Sequence, residues 1–156
     1  MMRINHPATL AEVRAAFDAY ERALMDNDLA TLNELFWQSP LVVRFGPGQN
    51  LYGIEAIAAF RAARKGGSPK RTLYQTRITT FGTDFAVANT EFQREGNVAP
   101  GRQSQSWLRF REGWRIVSAH VSFLGGELTQ SPPTIALDAG SGQQLGFILS
   151  NSEHMK

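Results

Sequence analysis

The 156 residues are enough for one domain and too few for two, and an apolar fraction of 42% supplies a real core at that size. A formal net charge of +2 is too small to argue for nucleic-acid binding. With no cysteine, disulfides, thiol catalysis and thiolate metal sites are excluded. No signal core and no apolar run near ~18 residues is present, so the expectation is a cytoplasmic protein without a membrane partner.

In chain order, Thr9 with Glu12 three residues on predicts a capping box at the start of a first helix. Leu10, Val13, Phe17, Tyr20 and Leu24 then recur at helical spacing, with Tyr20 in the middle of the apolar face. Asp28 is placed to cap a shorter second helix carrying Leu29, Leu32, Leu35 and Phe36. Pro40 ends that stretch, and Leu41-Val42-Val43-Arg44-Phe45 reads as a strand. Gly46, Pro47 and Gly48 form a turn, Leu51-Tyr52 a short return, and Gly53 a break. A third helix presents Ile54, Ile57, Ala58 and Phe60 and is stopped by Gly66-Gly67. The basic cluster of Arg61, Arg64, Lys65, Lys70 and Arg71 reads as a solvated helix end favoured by the macrodipole rather than as a phosphate patch.

From Arg71 to Phe123 the period changes to two, in runs at 72–81, 85–95, 103–112 and 114–123 separated by short turns. That order predicts an antiparallel meander, and helices followed by a long curved sheet predict an α+β layout with the helices on one face. Residues 1–125 are expected to form the domain. Residues 126–156, rich in Pro, Gly, Ser and Gln, read as a poorly structured tail with one apolar piece, Leu145 to Leu149.

Two residues stand out for chemistry. Arg44 interrupts an apolar strand, where it is an edge residue reaching solvent, the partner of an internal carboxylate such as Glu91, or a guanidinium inside a pocket suited to a ligand carboxylate. If Leu41, Val43 and Phe45 pack under the helices or against a partner subunit, Arg44 and Val42 point the other way. Tyr20 is either an ordinary core tyrosine or a hydroxyl donor aimed into the cone that its helix would cap. In the later strands Asn89, Glu91 and Gln93 share a face, as do Gln103, Gln105 and Trp107, and Glu91 and Trp107 are taken as inward-facing. In the last strand Trp114, Ile116, Ser118, His120 and Ser122 are expected on one face. His120, the only histidine inside a predicted element, has no neighbouring ligand pattern, so no metal site is expected. No phosphate loop, dinucleotide fingerprint or nucleophile elbow occurs, and no cofactor is expected.

The helix opening Gly53-Ile54-Glu55-Ala56-Ile57-Ala58-Ala59-Phe60 and the closing strand Trp114-Arg115-Ile116-Val117-Ser118-Ala119-His120-Val121-Ser122 resemble the NTF2-like (SnoaL-like) superfamily. Within it, Leu41-Val42-Val43-Arg44-Phe45-Gly46-Pro47-Gly48 and Ser118-Ala119-His120-Val121-Ser122 resemble the AtzH/HpxZ family, over residues 3 to about 125. The resemblance implies a cone of three N-terminal helices on a curved, mostly antiparallel sheet enclosing one pocket. It implies a homodimer through the sheets and an association with amidases of cyanuric acid or ureide breakdown.

The activity implied is a metal-independent, decarboxylating amidohydrolase that turns 1,3-dicarboxyurea, a small anionic urea, into allophanate. On that reading Arg44 holds a carboxylate and Tyr20 donates to the scissile end, while Trp107 stacks on the ligand and Glu91 or His120 orders water. Two rivals stand beside it. Isomerase or cyclase chemistry on the same fold needs a carboxylate base such as Glu91. A module that binds a ureide or an amidase partner needs no catalysis.

Overall fold

The computed structural model describes residues 1–125; the expected tail 126–156, with Leu145 to Leu149, lies outside the described residues. Helix α1 spans Pro7–Asp26, α2 Leu29–Glu34 and α3 Ile54–Ala63. The strands are β1 Val43–Gly46, β2 Gln49–Tyr52, β3 Arg71–Phe81, β4 Phe85–Arg94, β5 Gly101–Phe110 and β6 Gly113–Phe123. They form one six-stranded sheet in the order β2-β1-β6-β5-β4-β3. The predicted meander β3 to β6 is present, and β1 joins it parallel to β6, which makes the sheet mixed. The α+β class holds.

Helix α1 starts three residues earlier than the capping box predicts, with His6 rather than Thr9 at the N-cap position. Pro7 occupies the first turn, where its missing N–H costs nothing, and His6 precedes it without a side-chain cap. Thr9 is buried instead, and Glu12 accepts from the Trp114 indole at 3.1 Å and pairs with Arg109, tying α1 to the far end of the sheet. The Asp28 cap is as predicted: Oδ1 accepts from the Thr31 amide at 3.1 Å and Oδ2 from its hydroxyl at 2.6 Å.

Val13, Phe17, Tyr20 and Ala23 of α1 bury against Leu32, Phe36, Ile57, Trp107, Trp114 and Ile116. Arg44 pairs in register with Ala119, which is buried, while Val43 and Phe45 pair with Ser118 and His120 on the exposed side. The helices therefore cover the face of Val42 and Arg44, and Leu41 is exposed.

Two bulges bend the sheet. One lies in β3 between Tyr74 and Arg77, where Gln75 takes φ +49°. The other lies in β6, where Ser106 pairs with Ser118 but Trp107 pairs with Ile116, leaving Val117 as the extra residue. That extra residue reverses the alternation: Trp114 and Ile116 face inward before it, Ala119 and Val121 after it. The single face expected for Trp114 through Ser122 is thus split between the two sides.

Candidate functional site

Tyr20 and Arg44 come together. Tyr20 descends from the middle of α1, Arg44 rises from β1 between Val43 and Phe45, and both line one small cavity of about 30 Å³ closed on the far side by α3. A second hollow of about 330 Å³ shares Arg44, Phe60 and Arg64 and adds Arg94, Pro47 and Gln49. Arg44 lines both chambers, and its guanidinium stands 5.2 Å from the ring centroid of Phe60, which also lines both.

The walls are cationic. Among the described residues neither chamber is lined by an Asp or Glu. Burial pushes the Arg44 guanidinium below its ordinary pKa; the Tyr20 phenol opposes this, while Arg64 and Arg71 add to it. Arg94 is lowered in the same way, first by burial and then by Arg64, Arg71 and Arg44. Its Nε is buried without a partner among the described residues. Gln49 is the nearest polar support for Arg44: with its amide turned to suit both neighbours, the oxygen accepts from Arg44 Nη1 at 3.1 Å and the nitrogen donates to the Pro47 carbonyl at 3.3 Å. Gly46 is more than a turn residue here, because a Cβ there would stand 3.1 Å from Arg44 Nη1 and 2.5 Å from Gln49 Nε2.

Arg61 is the residue that sequence reading misplaced most. The expected solvated helix end is only 7% exposed, and its Nη1 donates to the Leu32 carbonyl at 2.8 Å and to Asn33 Oδ1 at 2.9 Å. The helical spacing of Ile54, Ile57 and Arg61 carried the signal, since seven residues bring position 61 back to the apolar face. Arg71 is also buried. Its guanidinium grips Glu21 at 2.5 and 3.2 Å and reaches Gln103 Oε1 at 3.0 Å, and Gln103 returns a bond to Glu21 at 3.2 Å. Lys65 and Lys70 are exposed, as expected.

The remaining site residues fall elsewhere. Glu91 lies between buried Thr90 and Phe92 and so faces outward with Asn89, opposite Arg102, on the side of the sheet away from the helices. It is neither a partner for Arg44 nor a base in the cavity. His120 is exposed on that same outer face, edge-on to Phe45 with ring centroids 5.9 Å apart, because the Val117 bulge and the buried neighbours Ala119 and Val121 turn it out. Trp107 does face inward with Gln103 and Gln105, as expected, but it is fully buried in the core and lines neither chamber; its indole N–H has no partner among the described residues.

Among the described residues no cluster of three or more His, Asp or Glu side chains is spaced to hold a metal, and no helix is long and apolar enough to cross a membrane.

Comparison with known proteins agrees with this fold. A protein of unknown function from Pectobacterium atrosepticum is 54% identical, with a TM-score of 0.76 over 78% of this chain and 95% of that one. A cystatin-like fold protein from Burkholderia xenovorans is 47% identical, with a TM-score of 0.76 over 79% and 97%. An NTF2-like protein of unknown function from Pseudomonas putida shares the fold at 19% identity and a TM-score of 0.66, over 80% and 92%. Among curated proteins nothing matches. The AtzH-like family model matches residues 2–127, and with the helix-capped curved sheet of NTF2-like fold now described, the chain belongs to the AtzH-like family.

Proposed function

We propose that this protein is a decarboxylating amidohydrolase acting on 1,3-dicarboxyurea and yielding allophanate. The observation that carries the reading is the meeting of Tyr20 and Arg44 on one cavity wall that no carboxylate lines. A guanidinium so placed offers its fork to a ligand carboxylate, and the surrounding arginines favour an anion further.

The chemistry asks little of the protein. An N-carboxyl group leaves as carbon dioxide once its nitrogen is protonated: the N–C bond breaks, its electron pair stays on nitrogen, and one proton is consumed. Arg44 fixes the carboxylate, and Tyr20 donates the hydrogen bond or the proton at the scissile end and regains it from solvent. The belt of arginines also disfavours solvent cations and holds the dianion through the step. A homodimer formed through the outer face of the sheet, where Phe45 meets Tyr52 and His120, belongs to the same proposal. So do a cytoplasmic setting and a pathway amidase as partner.

The test is turnover of freshly made dicarboxyurea by the purified chain, following carbon dioxide and allophanate above the spontaneous decay. Tyr20→Phe is expected to fold and to lose turnover by about 10²–10⁴-fold, the usual worth of general acid assistance, and Arg44→Ala to fold and to lose most turnover with the carboxylate anchor. Full activity in either variant removes that residue from the mechanism. No rate above background, with ureide binding or amidase co-purification retained, turns the reading to a binding module.

A further inference from the structure

We infer that Arg61 is a second anion-binding residue of this cavity, receiving the inner end of the ligand that Arg44 holds from the sheet. The inference rests on the reading of the cavity as a small-carboxylate site.

Arg61 is locked before any ligand arrives. Its Nη1 is committed to the Leu32 carbonyl and to Asn33 Oδ1, and its guanidinium lies 4.4 Å from the Phe36 ring centroid. Its other terminal nitrogen, Nη2, is buried and makes no hydrogen bond among the described residues, although burial of Arg61 is opposed in part by the Tyr20 phenol, which stands near enough to favour the charged form. Arg61 lines the 30 Å³ chamber together with Tyr20 and Arg44. Satisfying the carbonyl at the end of α2 needs one donor, and that donor is Nη1; Nη2 is left over. A buried donor left unmade is costly, and a buried guanidinium ordinarily keeps a counter-ion close. For Arg71 that counter-ion is Glu21. No carboxylate is paired with Arg61 among the described residues.

The dimensions say what fits. The inner chamber, about 30 Å³ against about 330 Å³ for the outer hollow, has room for a small polar end group and not for a whole dicarboxylate. The outer chamber shares Arg44, Phe60 and Arg64 with it and adds Arg94, so it is where the rest of a ligand held by both arginines would extend. This favours a short ligand with an acceptor oxygen at each end, a dicarboxylate over a monocarboxylate.

Calorimetric titration with malonate, a stable short dicarboxylate, and with acetate separates the possibilities. Wild type is expected to bind malonate more tightly than acetate. Arg61→Met, which keeps the bulk over Phe36, is expected to weaken malonate by about tenfold or more, as loss of a charge-assisted hydrogen bond predicts, and to narrow the gap to acetate. Arg61→Lys and Asn33→Ala, which lose the fork or its anchor, are expected to weaken malonate by several-fold. Should Arg61→Met fail to fold, these two variants carry the test. Wild-type malonate affinity in Arg61→Met, or in both milder variants, overturns the role of Arg61 alone. Absence of malonate binding by wild type overturns the carboxylate reading and this inference with it.

Discussion

Two buried-arginine regions lie on the same side of the sheet and differ in one respect. At the seam of α1 and β3, Arg71 is held by both oxygens of Glu21, with Gln103 closing the network, and the side chains are 2% and 12% exposed. Under α3, Arg44 and Arg61 are cationic and buried enough for desolvation to lower both guanidiniums, and no carboxylate lines their cavity. The first region is complete without a ligand. The second is not. Burial of an arginine alone therefore says little about its role; whether its charge is answered from within the chain is what separates a staple from a receptor.

The comparison can be broken most forcefully at Glu21. Glu21→Gln leaves Arg71 buried with its charge uncompensated and is expected to destabilise the fold by about 3 kcal/mol, measured by urea unfolding. Arg44→Met in the same assay is expected to leave stability unchanged or raised, because it removes a buried charge that no carboxylate among the described residues answers. Equal losses in the two variants would erase the distinction. Gly101→Ala probes the floor of the staple: a Cβ there would overlap the Phe92 ring, over which the Arg71 guanidinium lies at 4.5 Å. Overpacking of this kind is expected to cost about 1–3 kcal/mol.

Ligand linkage sharpens the other side. Malonate at a hundredfold excess over its dissociation constant is expected to stabilise wild type by about 2.7 kcal/mol, read as a raised Tm, and to leave Arg44→Met nearly unmoved. The smallest expected effect lies at the exposed cap of α2. Asp28 has a lowered pKa, set first by its side-chain hydrogen bond to Thr31. Its contribution is full above the ordinary value of 3.8 and fades as the pH falls through the lowered folded value. Asp28→Asn keeps the cap and is expected to flatten that acid limb of the Tm profile slightly.

Much of the fold was legible because local patterns agree with one another. The α1 stripe of Val13, Phe17 and Tyr20, the Asp28 cap and the period-two runs of the meander all follow from spacing along the chain. Arg44 was legible as an anomaly, a charge amid Leu, Val and Phe, though the choice among solvent, Glu91 and a pocket was open. Glu91 was misplaced because alternation names the two faces of a strand without saying which one the helices cover. His120 was misplaced for a different reason: one extra residue at Val117 exchanges the faces partway along β6. Arg61 and Arg71 were read as solvated because a run of basic residues after a helix usually is.

Spacing along the chain was enough for the α+β class and the element order, because periodicity and caps act over a few residues, and it singled out Tyr20 and Arg44 without saying that they meet. The tertiary structure alone decided which arginines are answered, since Glu21 lies 50 residues from Arg71 along the chain and Asn33 lies 28 from Arg61. Such pairings are set by how α1, α3 and the bent sheet converge, and no local pattern encodes that convergence.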